Sequence, residues 1–331
     1  MKIQIGRYLL WAAGLLAGAG AMAQSKNELS VYAGGGISTL LYSSSALQSS
    51  QNVGGHAGLG YTLFFTPKWG IGTGAEIALL NAKASFATLS DAYNANDGTD
   101  NMIFHYTAYD YSEKIQIYSL NIPLMIYFRS PVSQSMTFYA GLGAKASIPL
   151  QSTVEATMPR AATAGYYPAY HADLHMPAFR GFGSFENLEL DGAPAFLISY
   201  AASAEVGIKW KLTGNWSIYT GVYVDYGVTN MVDDKQDKPF IPYNETAWNT
   251  NPVSYYHSVL VSQYARNAPM VDKFTADNFE TATGNLQAIA GNVTSLAAGL
   301  KIKVIFGESG EKKHCLPCLR YELDTRGTKK K

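Results

Sequence analysis

Charge is scarce in this chain. Lys, Arg, Asp and Glu make up 15% of its 331 residues, against roughly 25% in an ordinary soluble domain. What charge there is cancels, with 25 basic and 25 acidic side chains and a formal net charge of +0. No global field is left to gather nucleic acid or an acidic partner. There are two cysteines, Cys315 and Cys318, and a lone pair gives no zinc site. After residue 23 no apolar run approaches about 20 residues, which excludes helical membrane spans. Nucleophile elbow, P-loop and dinucleotide fingerprint are all missing. The chain therefore reads as non-enzymatic, with no cofactor and no metal.

Aromatics and glycine are abundant instead: 23 Tyr, 13% aromatic residues and 31 Gly. Thin strands with aromatic girdles use such residues. The last regular stretch, residues 295–306 (SLAAGLKIKVIF), shows the pattern most clearly. Leu296, Ala298, Leu300, Ile302, Val304 and Phe306 share one parity, and Ser295, Ala297, Gly299, Lys301 and Lys303 the other. Strict alternation means a strand with one apolar face. Small and charged residues opposite an unbroken apolar face suit a barrel wall with lipid outside and a narrow polar lumen inside.

Seven earlier stretches repeat this parity: residues 29–38, 53–65, 70–80, 118–129, 136–150, 195–212 and 216–230. The closing stretch begins near Leu286. Pro123 lacks a ladder donor, so it should sit at a bulge or tolerate one missing bond. Connections alternate in length. Short ones hold Thr66-Pro67-Lys68-Trp69, residues 130–135 and Thr213-Gly214-Asn215. Long ones cover residues 39–52, a polar segment through 90–101 with alternation resuming at Ile115, 151–194 and 231–284. Asn251-Pro252 resembles a helix cap, so a short helix is expected over residues 252–266. Eight strands with alternating short and long links predict an all-β, eight-stranded antiparallel up-and-down transmembrane barrel with long extracellular loops and both termini periplasmic. A soluble sandwich or lipocalin-like barrel would bury the apolar face and need no aromatic girdle. The strands exceed the 9–11 residues needed to cross, so the barrel should project above the bilayer.

Residues 1–23 read as a cleaved signal peptide. Lys2 and Arg7 precede the apolar run YLLWAAGLLAGAG, and Ala21-Met22-Ala23 gives an A-x-A site before Gln24. Residues 24–307 form the expected barrel and residues 308–331 a charged periplasmic tail. In that tail, Cys315-Leu316-Pro317-Cys318 lacks both a thioredoxin-like context and the His that haem attachment needs, since Leu319 follows. A local disulfide or a free pair is the simplest reading.

With the strands placed, the chain resembles the Gram-negative outer-membrane β-barrel family, in its small OmpA/OmpX-like class. The segment YSLNIPLMIYF (118–128) carries the resemblance, together with TPKWGIGTGAE (66–76) and the closing GLKIKVIF (299–306). The resemblance implies an outer-membrane location, contact with lipid and lipopolysaccharide, and insertion by the barrel-assembly machinery. It specifies function poorly, because the fold hosts several.

Two constellations are candidates for function. His56, Glu76, Arg129, Lys145, Glu205, Asp225, Lys301 and Lys303 all point inward by parity. An eight-stranded lumen is only wide enough for side chains, so these charges should pair as an interior plug. The competing reading is a narrow porin-like channel, and behind it an outer-membrane lipid-modifying enzyme. The second constellation is aromatic: Tyr109, Tyr167, Tyr170, Trp248, Tyr255 and Tyr256 stand in the expected loops. Exposed loop aromatics suit a glycan or protein ligand; the alternative is that they pack against one another. His171 and His175 lie four residues apart, but Pro168 and Pro177 argue against a helix carrying them to one metal.

Overall fold

The structure, a computed structural model, describes residues 26–44, 47–190, 192, 194–212, 216–233, 238–243, 255–265 and 286–306. The signal peptide, the tail with Cys315 and Cys318, the Thr213-Gly214-Asn215 turn, Trp248 and Asn251-Pro252 lie outside the described residues.

Eight long strands close a ring: β1 (Lys26–Tyr42), β2 (Asn52–Phe64), β3 (Trp69–Asn96), β4 (Asn101–Pro131), β5 (Met136–Tyr167), β6 (Ser199–Lys211), β7 (Trp216–Gly227) and β8 (Val293–Phe306). Each pairs antiparallel with its neighbours in sequence. The ring shuts where β1 meets β8, with Leu29 opposite Phe306 and Tyr42 opposite Val293. This is the expected eight-stranded meander.

The short connections are built from local chemistry. The Thr66 hydroxyl accepts the Trp69 N–H at 2.8 Å, and the Ser133 hydroxyl accepts that of Met136 at 3.1 Å. Each hydroxyl thus closes a turn against the first residue of the next strand. Pro123 causes no bulge. The β3–β4 register is the same on both sides of it (Thr73 opposite Leu124, Glu76 opposite Asn121), so the ladder simply lacks rungs there.

Large apolar side chains such as Leu59, Leu124, Leu142, Leu300 and Ile302 are exposed on the outer wall. Aromatics bound this band on both sides. β4 carries Phe128 and Tyr118, β6 Trp210 and Tyr200, β7 Trp216 and Tyr226, each pair ten residues apart. At ~3.3 Å per residue and ~40° tilt, ten residues rise about 25 Å, the height of an outer-membrane apolar band. The lower girdle is packed laterally, Trp69 on Phe128 at 4.9 Å and Trp216 on Phe306 at 4.6 Å.

Above the upper tyrosines the structure departs from the sequence reading. β3, β4 and β5 do not end near residues 80, 115 and 150. They run to 28, 31 and 32 residues and form a sheet projecting beyond the barrel. The supposed polar loop at 90–101 is the tip of this hairpin. Asp97 closes it by accepting the N–H groups of Thr99 (2.9 Å) and Asp100 (2.8 Å), with Gly98 at φ 90°. Alternation was lost to view there because the apolar side changes faces. Within the band, β4 turns Leu120, Ile122 and Leu124 outward. Above it, Ile115 and Ile117 are buried inside, while Lys114 and Gln116 face out. β3 does the same with Ala82, Ala84 and Phe86 inside and Lys83 outside.

The inward side of this sheet carries a second core. Phe86, Leu89, Phe104, Tyr106 and Tyr111 pack against Phe240, Ile241, Tyr256, Val259 and Leu260 of the β7–β8 connection. Phe240 lies 5.2 Å from Tyr111 and 5.6 Å from Tyr256, ring to ring. Each large side chain so buried contributes about 1.5–3 kcal/mol of transfer free energy. The helix expected over residues 252–266 is not formed in the described part. Tyr255–Tyr256 is a short strand pairing in parallel with Gly183–Leu190, and Ser262–Ala265 another pairing with Leu286–Ala288. The Gly183–Leu190 strand in turn extends the projecting sheet beside β5.

Candidate functional site: the filled lumen and the cap

Glycine on the inner face makes room for what fills the barrel. At Gly34 a Cβ would stand 2.6 Å from Cε1 of His56, so only glycine lets that ring lie across the strand. Three charged layers are stacked upward from the short-turn end. In the lowest, Glu28 Oε1 accepts from Arg129 and from Lys209, both at 2.8 Å. Arg129 also lies over the Phe64 ring at 3.7 Å and donates to the Pro67 carbonyl at 3.0 Å. Above it, Glu205 takes Lys301 on Oε2 at 2.8 Å and Lys303 on Oε1. The Lys303 ammonium sits among Tyr127, Tyr219, Tyr139 and Tyr32, 4.8–5.8 Å from the four ring centres. In the third layer, Lys145 bridges Glu76 (2.9 Å) and Asp225 (2.8 Å). Asn121 and Tyr32 donate to Glu76 at 3.0 and 3.1 Å, and Ser203 donates to Asp225 at 2.6 Å.

All eight side chains assigned inward by parity therefore meet in the lumen. Arg129 and Lys145 are joined to partners on strands distant in the chain, as are Lys301 and Lys303. His56 packs edge-on against Tyr223 (4.6 Å) and Tyr32 (6.0 Å), and its Nε2 has no hydrogen-bond partner among the described residues. A small cavity remains beside Tyr32, Thr62, Lys145, Glu205 and Lys303. Sequence reasoning missed Glu28, although its parity, one before Leu29, already placed it inside. It also missed the four tyrosines around Lys303, because parity places a ring inside without showing which charge it meets.

The aromatic candidates divide. Tyr170 and Tyr255 are exposed, and Tyr109 is half-buried beneath the Arg160 guanidinium at 4.2 Å. Tyr167 and Tyr256 are buried, which corrects the ligand-recognition reading for these two and follows the alternative of packing within the protein. Tyr167 donates to Asp97 at 2.8 Å, and Tyr256 belongs to the cap core. They were misplaced because the segments holding them were read as loops rather than sheet.

Asp97 anchors the outer tip. Burial disfavours its charge, but the N–H groups of Asp100 and Thr99, the Tyr167 hydroxyl and Arg180 together hold its carboxyl below the usual range. Nearby, Asp173 joins two histidines, His105 at 2.8 Å and His175 at 3.1 Å. His175 thus turns to Asp173 and His105 rather than to His171. Among the described residues no group of three His, Cys, Asp or Glu side chains has metal-binding geometry.

A family model described as an outer membrane protein beta-barrel domain matches residues 22–232. Among solved structures, the attachment invasion locus protein Ail of Yersinia pestis is 10% identical, with 85% of this chain and 99% of that chain covered, at a TM-score of 0.28. The outer membrane protein OprG from Pseudomonas aeruginosa is 12% identical, with 85% and 97% covered, at a TM-score of 0.31. No curated protein matches the chain.

Proposed function

Because this chain belongs to the outer-membrane protein β-barrel domain family, we propose that it is a sealed, non-enzymatic barrel that carries a folded recognition platform outside the cell. The observation that supports this most is the lumen, where five cations and four carboxylates are joined into three layers across the bore. Ions crossing such a barrel would have to break buried pairs, each costly to separate in a low-dielectric interior. In this reading the short turns and both termini face the periplasm, and the projecting sheet with its cap faces outward. Lipid and lipopolysaccharide surround the wall, and the barrel-assembly machinery inserts it. The exposed Tyr170 and Tyr255, with Tyr109 under Arg160, are the aromatic surface offered to a glycan or protein ligand.

Planar-bilayer recording tests the sealed barrel against the channel reading. Purified protein should give no resolved single-channel steps. Reproducible steps that change with Lys145→Met would establish a conducting lumen and refute the proposal.

A further inference from the structure

Among the described residues, three buried acids take no part in the lumen layers: Asp91, Asp97 and Glu113. Glu113 sits on β4 above the upper tyrosines, facing inward and fully buried. Its bonds tie two parts of the chain together. Tyr111, two residues along the same strand, donates to Oε2 at 2.5 Å. Ser258, in the β7–β8 connection, donates to Oε1, and the Val259 N–H donates to Oε2 at 3.2 Å. Ser258 itself organises the turn that follows, accepting the Leu260 N–H at 3.2 Å, while its carbonyl accepts the Ser262 hydroxyl at 2.7 Å. So one carboxyl holds the turn that seats Tyr256, Val259 and Leu260 in the cap core.

Among the described residues, its surroundings supply no compensating charge. The titratable groups that face it, among the described residues, are Tyr111 on its own strand, Tyr42 on β1 and Tyr256 in the cap. The hydroxyls of Tyr42 and Tyr256 are buried and have no hydrogen-bond partner among the described residues. Among those residues no cation is paired with Glu113, and Lys83 and Lys114 stand on the opposite face of the sheet. A buried carboxylate without a counter-ion is costly, and adding a proton removes that cost. Burial accordingly pushes the Glu113 carboxyl up, against the lowering effect of the bonds from Ser258, Tyr111 and Val259.

We propose that Glu113 is a proton-controlled latch that holds the cap turn at 255–262 closed over the barrel mouth while protonated and loosens it on ionising. An acid that binds its proton more tightly when closed stabilises the closed form fully below its ordinary range. That contribution is lost as pH rises through the raised value. The latch concerns the cap alone and stands whether or not the lumen conducts.

Hydrogen exchange in detergent micelles tests it, with rates corrected for the intrinsic pH dependence of amide chemistry. In the wild type, protection of residues 255–262 should fall by more than about twofold as the pH is raised from about 5 to about 8, the direction that linkage gives for an acid whose proton is held more tightly in the closed form. Glu113→Gln keeps a buried hydrogen-bonding side chain that does not ionise, and its protection should change less than about twofold. Ser258→Ala loses the hydroxyl's bonds to Glu113 and from the Leu260 N–H but keeps the acid and the Val259 bond, so it should be less protected at both pH values and retain the pH response. Should Glu113→Gln fail to fold, the Ser258→Ala response carries the test. A wild type without pH response, an equal response in Glu113→Gln, or no response in Ser258→Ala would overturn the latch.

Discussion

Lys303 shows how much of the lumen rests on single residues. Its ammonium is buried among four tyrosine rings and shares Glu205 with Lys301. Removing that carboxylate's charge leaves two like charges close together with no counter-ion between them. Glu205→Gln should therefore destabilise the barrel by about 3–5 kcal/mol, the usual cost of leaving a buried charge unpaired. The measurement is the denaturant midpoint of micelle-bound protein; a loss below about 0.5 kcal/mol would mean that water reaches Lys303 and that the layers are not sealed. Parity was enough to find both partners in the sequence, because a period of two leaves only two faces to choose from. It could not say which cation meets which carboxylate, since that depends on the stagger between strands. Glu113 escaped notice for another reason: it lies in a stretch where the apolar residues had changed sides.

That exchange of sides is the central fact at the level of the strand. A strand in lipid hides its polar face, and the same strand in water hides its apolar one. β3, β4 and β5 do both in succession, so no single pattern describes them from end to end. The in-membrane segments of all eight strands were legible in sequence. The extensions were not, partly because all three strands also slip in phase at one height. Ala87 and Asp110 drop out of the β3–β4 ladder, Asp110 has φ 53°, and Pro159 lacks an N–H. Exposure thus has opposite meanings at different heights. Leu300, 69% exposed, lies midway along the band, and Tyr170, 64% exposed, lies on the cap. Leu300→Arg should cost about 2–4 kcal/mol for a cation at mid-bilayer. Tyr170→Arg should stay within about 0.5 kcal/mol, as ordinary surface changes do. Refolding titrations into lipid vesicles would measure both, and similar costs at the two sites would contradict the assignment of the lipid face.

The whole molecule is two interiors in one continuous sheet: a charged, tyrosine-lined bore below and an apolar cap above. The cap core draws on β3, β4, β5 and the β7–β8 connection, so the longest links of the meander contain folded structure. Orientation can be checked with a membrane-impermeant maleimide on intact cells, after Cys315 and Cys318 are changed to Ser. Tyr170→Cys at the far end should label, and Gln134→Cys in the β4–β5 turn should not. The reverse pattern would invert the molecule. The paired aromatics on β4, β6 and β7 have a further consequence. Three strands carry the same ten-residue interval, so the wall is cut to one membrane thickness. In a bilayer thicker than about 25 Å the rings cannot sit at both interfaces at once, and lipid must thin locally or the barrel must lean. The protein is thereby matched to thin bilayers by the spacing of its own side chains, before any partner has acted on it.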